Sequence, residues 1–170
     1  QKVFANPSQL EALAKQKFGF PDFIMMENAA LGLKNLILEK KSDNQTKCLI
    51  LCGKGNNGGD GYALARLIKG QLQPLVFSLE APVAAEAKAQ YTMCKKMGLS
   101  FITKKALLEL LNQYEAPQAS GLIIVDCLYG TGFKGQLAPQ VQKIIEAANK
   151  AQALRIACDI SSGLAFNAHY

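Results

Sequence analysis

Short continuous apolar runs alternate with longer amphipathic segments along most of this chain. The apolar runs predict buried strands, which lie at 47–52, 74–79, 99–102, 121–126 and 154–160. The segments between them predict helices, which lie at 61–69, 82–97, 104–113 and 139–151. Apolar strands that alternate with helices are typical of a parallel sheet covered on both faces. The pattern therefore predicts an α/β fold, a three-layer α/β/α sandwich around a mostly parallel sheet.

Two helices are predicted before the first strand, outside the repeating β–α units. Asn6 is a good N-cap for a helix that starts at Pro7, and Gly19 ends this helix. The second helix runs to about residue 40, with apolar residues at three- to four-residue spacing. The sequence contains no internal repeat and no interdomain linker, so we expect a single domain over residues 1–170.

Composition and charge narrow the function classes. A chain of 170 residues with 49% hydrophobic content suits one globular domain, and no apolar run approaches the roughly 20 residues of a membrane helix. The net charge of +6 is spread along the chain, so a basic surface that favours phosphate-bearing ligands is a better interpretation than nucleic-acid binding. The five cysteines form no Cys-x-x-Cys pair, which is typical of buried thiols in a reducing cytoplasm.

Three polar loops each follow a predicted strand. The first covers residues 53–61, the second covers 126–136 and begins with Asp126, and the third begins with Asp159 and covers 159–163. In an open parallel sheet, ligands bind outside the carboxyl ends of the strands. The three loops therefore predict one binding site assembled from distant parts of the sequence.

The first loop fits more than one interpretation. Gly53, Gly55 and Gly58 have the spacing of the dinucleotide-binding fingerprint, and Glu80 ends the next strand, where that fingerprint places an acid for the ribose. These residues alone would fit an NAD-dependent dehydrogenase. Residues 56–60 (Asn-Asn-Gly-Gly-Asp) add amide and carboxylate groups that suit a polar substrate or a hard cation, or simply a turn with left-handed backbone.

Four segments, taken in order, resemble the NAD(P)H-hydrate epimerase family, the YjeF N-terminal domain. They are Met26-Glu27-Asn28-Ala29-Ala30, residues 55–61, Val125-Asp126 with Gly130-Thr131-Gly132-Phe133, and Asp159-Ile160-Ser161-Ser162-Gly163. The resemblance covers essentially the whole chain and implies a Rossmann-like fold. It implies an isomerase that interconverts the R and S hydrates of NADH and NADPH (NADHX and NADPHX), which carry a hydroxyl at C6 of the nicotinamide ring. It also implies a fused or separate partner, an ADP- or ATP-dependent dehydratase that consumes the S form.

The resemblance further implies the residues of the site. Asp159 and two loops would contact the substrate, and the loop residues are Asn56, Asn57, Gly58, Gly59, Asp60, Gly130, Thr131, Gly132, Phe133, Lys134, Gly135 and Gln136. A potassium ion (K⁺) would lie among Asn57, Asp126 and Ser162. Each of these three residues offers an oxygen atom from a different strand end, and no Cys or His stands at ligand spacing. This donor set suits a hard monovalent cation better than zinc.

Epimerisation of a hemiaminal carbon needs a group that exchanges a proton near neutral pH. The titratable residues of the three loops are Asp60, Asp126, Lys134 and Asp159. If the cation holds Asp126 and the loop holds Asp60, Asp159 remains as the acid/base, although a carboxylate after a strand also suits a helix cap. Lys134 and the backbone amides of residues 130–132 are expected to contact phosphate.

The resemblance leads to several further expectations. It implies a homodimer, and Glu27 and Asn28 are expected to have a structural or interface role. Family members have Pro where this chain has Ser161, which predicts a looser turn. They also continue past this loop with further strands, which indicates a domain shortened at its C-terminus. A non-catalytic nucleotide-binding or protein-interaction scaffold of the same fold is the alternative function.

Overall fold

The computed structural model describes residues 7–43 and 45–164, so the predicted cap Asn6 and the only histidine, His169, lie outside the described residues. Within these ranges the chain forms six helices and five strands. In chain order they are α1 Pro7–Phe18, α2 Asp22–Lys40, β1 Lys47–Cys52, α3 Asn56–Ile68, β2 Gln73–Ser78, α4 Ala85–Lys96, β3 Ser100–Phe101, α5 Lys104–Gln113, β4 Leu122–Cys127, α6 Pro139–Lys150 and β5 Leu154–Ala157.

The five strands form one sheet in the order β3-β2-β1-β4-β5, and each neighbouring pair is parallel. The two strands that were expected to share a sheet, β1 and β4, are direct neighbours, with Leu51 opposite Asp126. The chain winds outward from β1 in one direction and then from β4 in the other. The strand order therefore reverses between β1 and β4, and the crevice at their carboxyl ends is the usual ligand position of such a sheet.

Alternate residues of the central strands pack against helices on the two faces of the sheet. Ile50 of β1 belongs to a buried cluster with α2, α3 and α4, whereas Leu49 and Leu51 belong to a second cluster with α5 and α6. Both clusters are apolar because strands covered on both faces must bury every side chain. The predicted three-layer α/β/α sandwich is confirmed.

The two N-terminal helices differ in how they pack on the rest of the domain. Helix α2 packs on α3 through its buried residues Met26, Ala30 and Ile37, whereas α1 is largely exposed. Gly19 connects the two helices with a φ of 68°, a left-handed conformation that glycine adopts without strain. None of the described helices has the length and apolar character to cross a membrane.

Candidate functional site

The first glycine loop is the start of a helix. The pattern predicted a helix from residue 61, but α3 begins at Asn56 with Gly55 as its N-cap. The interpretation of residues 56–60 as a turn is therefore wrong, because these residues form the first helical turns after the carboxyl end of β1. A regular helix consequently fixes their polar side chains beside the crevice.

Close packing explains the glycines at this helix start. A side chain at Gly58 would overlap the carbonyl group of Gly53, and a side chain at Gly59 would overlap that of Met26. A Cβ atom at Gly61 would lie 2.8 Å from Cys52 Sγ. Glycine disfavours a helix by about 1 kcal/mol per residue relative to alanine, and here the tertiary packing overrides that preference.

Asp126 and Ser162, which were predicted to share the cation site, are in direct contact. The Ser162 hydroxyl donates to Asp126 Oδ1 at 2.6 Å, and the Ser162 backbone N–H donates to Oδ2 at 2.8 Å. The Leu128 N–H donates to Oδ1 at 3.1 Å, and the Ser162 hydroxyl accepts from the Tyr129 N–H at 3.0 Å. This network joins the loop after β5 to the loop after β4.

Asn57 bridges the crevice from the other side. Its Nδ2 group donates to the carbonyl oxygen of Tyr129 at 2.9 Å, which links the first turn of α3 to the loop after β4. Asn57 Oδ1 is buried, and it has no hydrogen-bond partner within the described part of the chain. A buried acceptor without a partner is costly in free energy, so a ligand at this oxygen is expected. The predicted cation ligand Asn57 thus has an oxygen atom that fits a cation.

Asp159 lies on the exposed side of the site, immediately beside the loop after β4. Its Oδ2 atom accepts a hydrogen bond from the Thr131 N–H at 2.6 Å. A Cβ atom at Gly130 would lie 2.5 Å from the same oxygen, so glycine is needed for this approach. The predicted acid/base is therefore accessible to solvent and held by backbone from a neighbouring strand end.

Asp60 is the loop carboxyl with the most perturbed acidity. The pKa of this carboxyl is raised to about 7, mainly by burial; a hydrogen bond from the Cys158 thiol lowers it, and the Glu11 and Asp159 carboxylates add to the increase. Cys158 Sγ lies 3.8 Å from Asp60 Oδ2. Within the described residues, the hydrogen-bond partner of the Asp60 carboxyl is thus this thiol after β5, and not a group of its own loop.

The loop from 130 to 136 lies at the same edge of the sheet and is only partly covered. The Phe133 ring packs against the Tyr129 ring with centroids 4.5 Å apart, and the Phe133 N–H donates to the Gly130 carbonyl at 2.9 Å. Lys134 is exposed. Helix α6 begins only at Pro139, so the loop does not run directly into a helix N-terminus.

Two of the cavities near the sheet edges bear on the position of the site. One, of about 360 Å³, borders the candidate site and is lined by Asp126, Ser161 and Ser162 together with side chains of β5 and α6. The larger one, of about 740 Å³, lies at the opposite edge, around residues 69–74 and 98–100. Its lining includes none of the predicted site residues. We therefore place the site at the carboxyl edge of the sheet, because the polar residues lie there.

The sequence matches a known family over most of its length. A family model described as the YjeF-related protein N-terminus matches residues 22–169. The chain belongs to this family.

Relatives of the chain in sequence carry informative names. The chain is 35% identical over 162 residues to the bifunctional NAD(P)H-hydrate repair enzyme Nnr of Helicobacter pylori, covering 95% of this chain and 33% of the relative. It is 35% identical over 159 residues to the NAD(P)H-hydrate epimerase of Rhodopirellula baltica, covering 92% and 62%. The chain thus spans about a third of the bifunctional relative and less than two thirds of the other.

A solved structure supports the same YjeF-family fold. The crystal structure of yeast ynu0 superposes with a TM-score of 0.77 at 22% sequence identity, covering 95% of this chain and 71% of that chain. At this identity the likeness establishes the fold.

The family motif on α2 has a structural role in this chain, as expected. Glu27 forms an ion pair with Arg66 of α3 and accepts a hydrogen bond from the fully buried Gln90 of α4 at 2.5 Å. Asn28 is exposed. Glu27 therefore ties α2 to two helices of the sandwich.

Sequence reasoning missed the part played by Tyr129. Its carbonyl oxygen accepts from Asn57, and its N–H donates to Ser162, so its backbone joins all three loops. The residue type at position 129 does not indicate these contacts, because every residue except proline has the same backbone donor and acceptor. Only the position of Tyr129, three residues after Asp126 in the loop, could have indicated it.

Proposed function

We propose that this domain is an NAD(P)H-hydrate epimerase, an isomerase that interconverts the R and S forms of NADHX and NADPHX. The observation that carries the proposal is the hydrogen-bonded network of Asn57, Tyr129, Asp126 and Ser162, which joins three strand-end loops across the crevice between β1 and β4. The names of the relatives from H. pylori and R. baltica support the substrate and the reaction.

Asp159 is the proposed acid/base. Inversion at C6 requires the hydroxyl to leave as water and return to the other face, or the ring to open and close, and both routes need proton exchange. Asp159 is exposed at the site, and its fixed position beside Gly130 would hold it against a ring bound there. Asp60 and the residues of the loop 130–136 would contact the same substrate.

Potassium is the proposed cation, with oxygen ligands from Asn57, Asp126 and Ser162. The unpartnered Asn57 Oδ1 supports this assignment. Residues 7–43 and 45–164 contain no group of three or more His, Cys, Asp or Glu side chains that could hold a metal, which argues against a zinc-type site. A bound potassium ion would supply positive charge close to Asp126 and would fix the relative positions of the three loops.

A homodimer is also proposed, with helices α1 and α2 and the residues that connect them as its interface. Several large apolar side chains are exposed there: Leu13, Phe18, Phe20, Ile24 and Leu31. Grouped exposed apolar residues are typical of interaction surfaces. We further propose a fused or separate hydrate dehydratase as the functional partner, and the cytoplasm as the compartment, which the five free thiols support.

A coupled assay tests the activity directly. The protein is mixed with an R,S-hydrate mixture and an S-specific dehydratase, and NADH formation is followed at 340 nm. We expect the S form to be consumed at once and the R form to follow only when the domain is present. Asp159→Asn serves as the inactive control. Conversion that stops at the S fraction with the wild-type domain would contradict the proposal and favour the scaffold interpretation.

A further inference from the structure

Glu80 is a carboxylate just after a strand end, and it has no role in the proposed epimerase site. It follows β2, whose carboxyl end is adjacent to that of β1. Two backbone hydrogen bonds tie this segment to the glycine loop, from Leu79 N–H to the Cys52 carbonyl and from Val83 N–H to the Lys54 carbonyl, both at 2.9 Å. Lys54 Nζ lies 3.2 Å from Glu80 Oε2, so the glutamate is held beside the loop.

Gly55 and Gly58 have two of the roles that glycines play in a dinucleotide-binding turn. Gly53 allows the loop after β4 to approach closely, because a Cβ atom there would overlap the Leu128 carbonyl. Gly58 allows α3 to approach this turn closely. A Cβ atom at Gly55 would meet no described atom within 4 Å, so its backbone is open to a ligand. Open backbone for the ligand and close helix packing are two of the three functions of the fingerprint glycines.

The order of these features along the sheet edge matches the order of groups in a dinucleotide. Glu80 follows β2, the open Gly55 follows β1, and Asp159 lies beyond β4, after β5. An extended dinucleotide presents its adenosine ribose, then its pyrophosphate, then its nicotinamide ring. With the ring at Asp159, the adenosine ribose therefore extends toward Glu80.

We propose that Glu80, held by Lys54, binds the 2′-hydroxyl of the adenosine ribose and makes the site selective for NADHX over NADPHX. This inference rests on the proposed function, and it names the preferred form of the substrate. A carboxylate accepts hydrogen bonds from a ribose hydroxyl but repels a 2′-phosphate.

The sequence around Glu80 supports the same selectivity. Sites that accept a 2′-phosphate place an arginine nearby. Residues 79–87 contain two glutamates and no lysine or arginine. The one basic side chain in contact with Glu80 is Lys54, as far as the described residues extend, and it is paired with the carboxylate. Both side chains are about half exposed, and exposed ion pairs contribute little to stability, so Glu80 can bind a ligand at small cost.

Binding of two stable fragments tests the inference without any turnover. ADP-ribose and 2′-phospho-ADP-ribose are titrated calorimetrically into wild-type protein, Glu80→Gln and Glu109→Gln. Glu109 is the matched control, because it forms a similar exposed ion pair with Lys105 within helix α5. We expect wild-type protein to bind ADP-ribose about tenfold more tightly than the phosphorylated fragment. We expect Glu80→Gln to bring this ratio close to one and Glu109→Gln to preserve it.

Three results would overturn the inference. In the first, Glu80→Gln leaves the ratio of the two fragment affinities unchanged. In the second, wild-type protein binds neither fragment. In the third, wild-type protein binds the phosphorylated fragment more tightly than ADP-ribose, and Lys54→Met abolishes this preference. The coupled epimerase assay on the same proteins separates this inference from the proposed function. If the protein epimerises the hydrates but Glu80→Gln does not change its preference between them, only the inference is wrong. If fragment binding depends on Glu80 but no epimerisation occurs, only the proposed function is wrong.

Discussion

Replacing Asp60 with asparagine should stabilise the protein at alkaline pH and have little effect at acidic pH. Burial raises the pKa of this carboxyl from 3.8 to about 7. A carboxyl with a raised pKa contributes stability that is fully present below pH 3.8 and is lost as the pH rises through about 7. At pH 8.5 the folded wild-type protein must therefore hold a carboxylate in an unfavourable environment, which asparagine avoids.

The magnitude follows from the two pKa values. A difference of about 3 between them corresponds to about 4 kcal/mol, since one pKa unit is ~1.4 kcal/mol. Asp60 is partly accessible to solvent, so we expect Asp60→Asn to gain roughly 2–4 kcal/mol of unfolding free energy at pH 8.5 relative to its effect at pH 4. The groups that face the carboxyl are the Cys158 thiol and the Asp159 and Glu11 carboxylates. These groups are the same in both proteins.

Urea unfolding of both proteins between pH 4 and pH 8.5, at constant potassium concentration, measures this difference. Glu115→Gln is the control for loss of one negative charge, because Glu115 is exposed. A free-energy difference between Asp60→Asn and wild type that stays constant over the whole pH range would refute the reasoning. It would mean that the Asp60 carboxyl is as well solvated in the folded protein as in the unfolded chain.

Asp159→Asn should lower epimerisation about 10²–10⁴-fold in the coupled assay while fragment binding changes little, and near-normal turnover would move the acid/base elsewhere. Asp126→Asn should require at least about tenfold more potassium for half-maximal activity, and a potassium titration with unchanged midpoint would contradict the cation assignment. Gly59→Ala should lower the unfolding free energy by about 1–3 kcal/mol, because the added methyl group would overlap the Met26 side chain. Adding Met26→Ala to this variant should restore part of the loss, and urea unfolding measures both effects. Ile24→Asp should give a monomer in light scattering at micromolar concentration, whereas an unchanged dimer would exclude this part of α2 as the interface.

The pattern of apolar runs was sufficient to predict the sheet and its layers. Helix α5 has the predicted bounds, Lys104–Gln113, because Thr103 caps it and its apolar stripe is regular. The start of α3 was missed because five polar and glycine residues predict a turn from local preference alone. Their helical conformation depends on packing against Met26, which is distant in sequence, and against Cys52 and Gly53 at the end of β1.

The sequence was sufficient to predict where the candidate site lies, but not most of the contacts within it. The ends of β1, β4 and β5 had to meet if the sheet was parallel, and the structure makes these strands neighbours. The Asp126–Ser162 pairing follows the predicted grouping. The bridging backbone of Tyr129 and the burial of Asp60 depend on how the loops pack against each other, and no periodicity or residue type encodes that packing.

The position of β4 next to β1 also has a consequence for how the protein folds. Strands β1, β2 and β3 follow one another with only a helix between neighbours, but roughly 70 residues separate β1 from β4. Closing a loop of this length costs about 4 kcal/mol of chain entropy before any strand contact compensates for it. Parallel pairing over such a separation is intrinsically slow. A growing chain can therefore build the first three strands early, but the crevice exists only after β4 has inserted beside β1. The ability to bind a ligand should be among the last properties that the folding chain acquires.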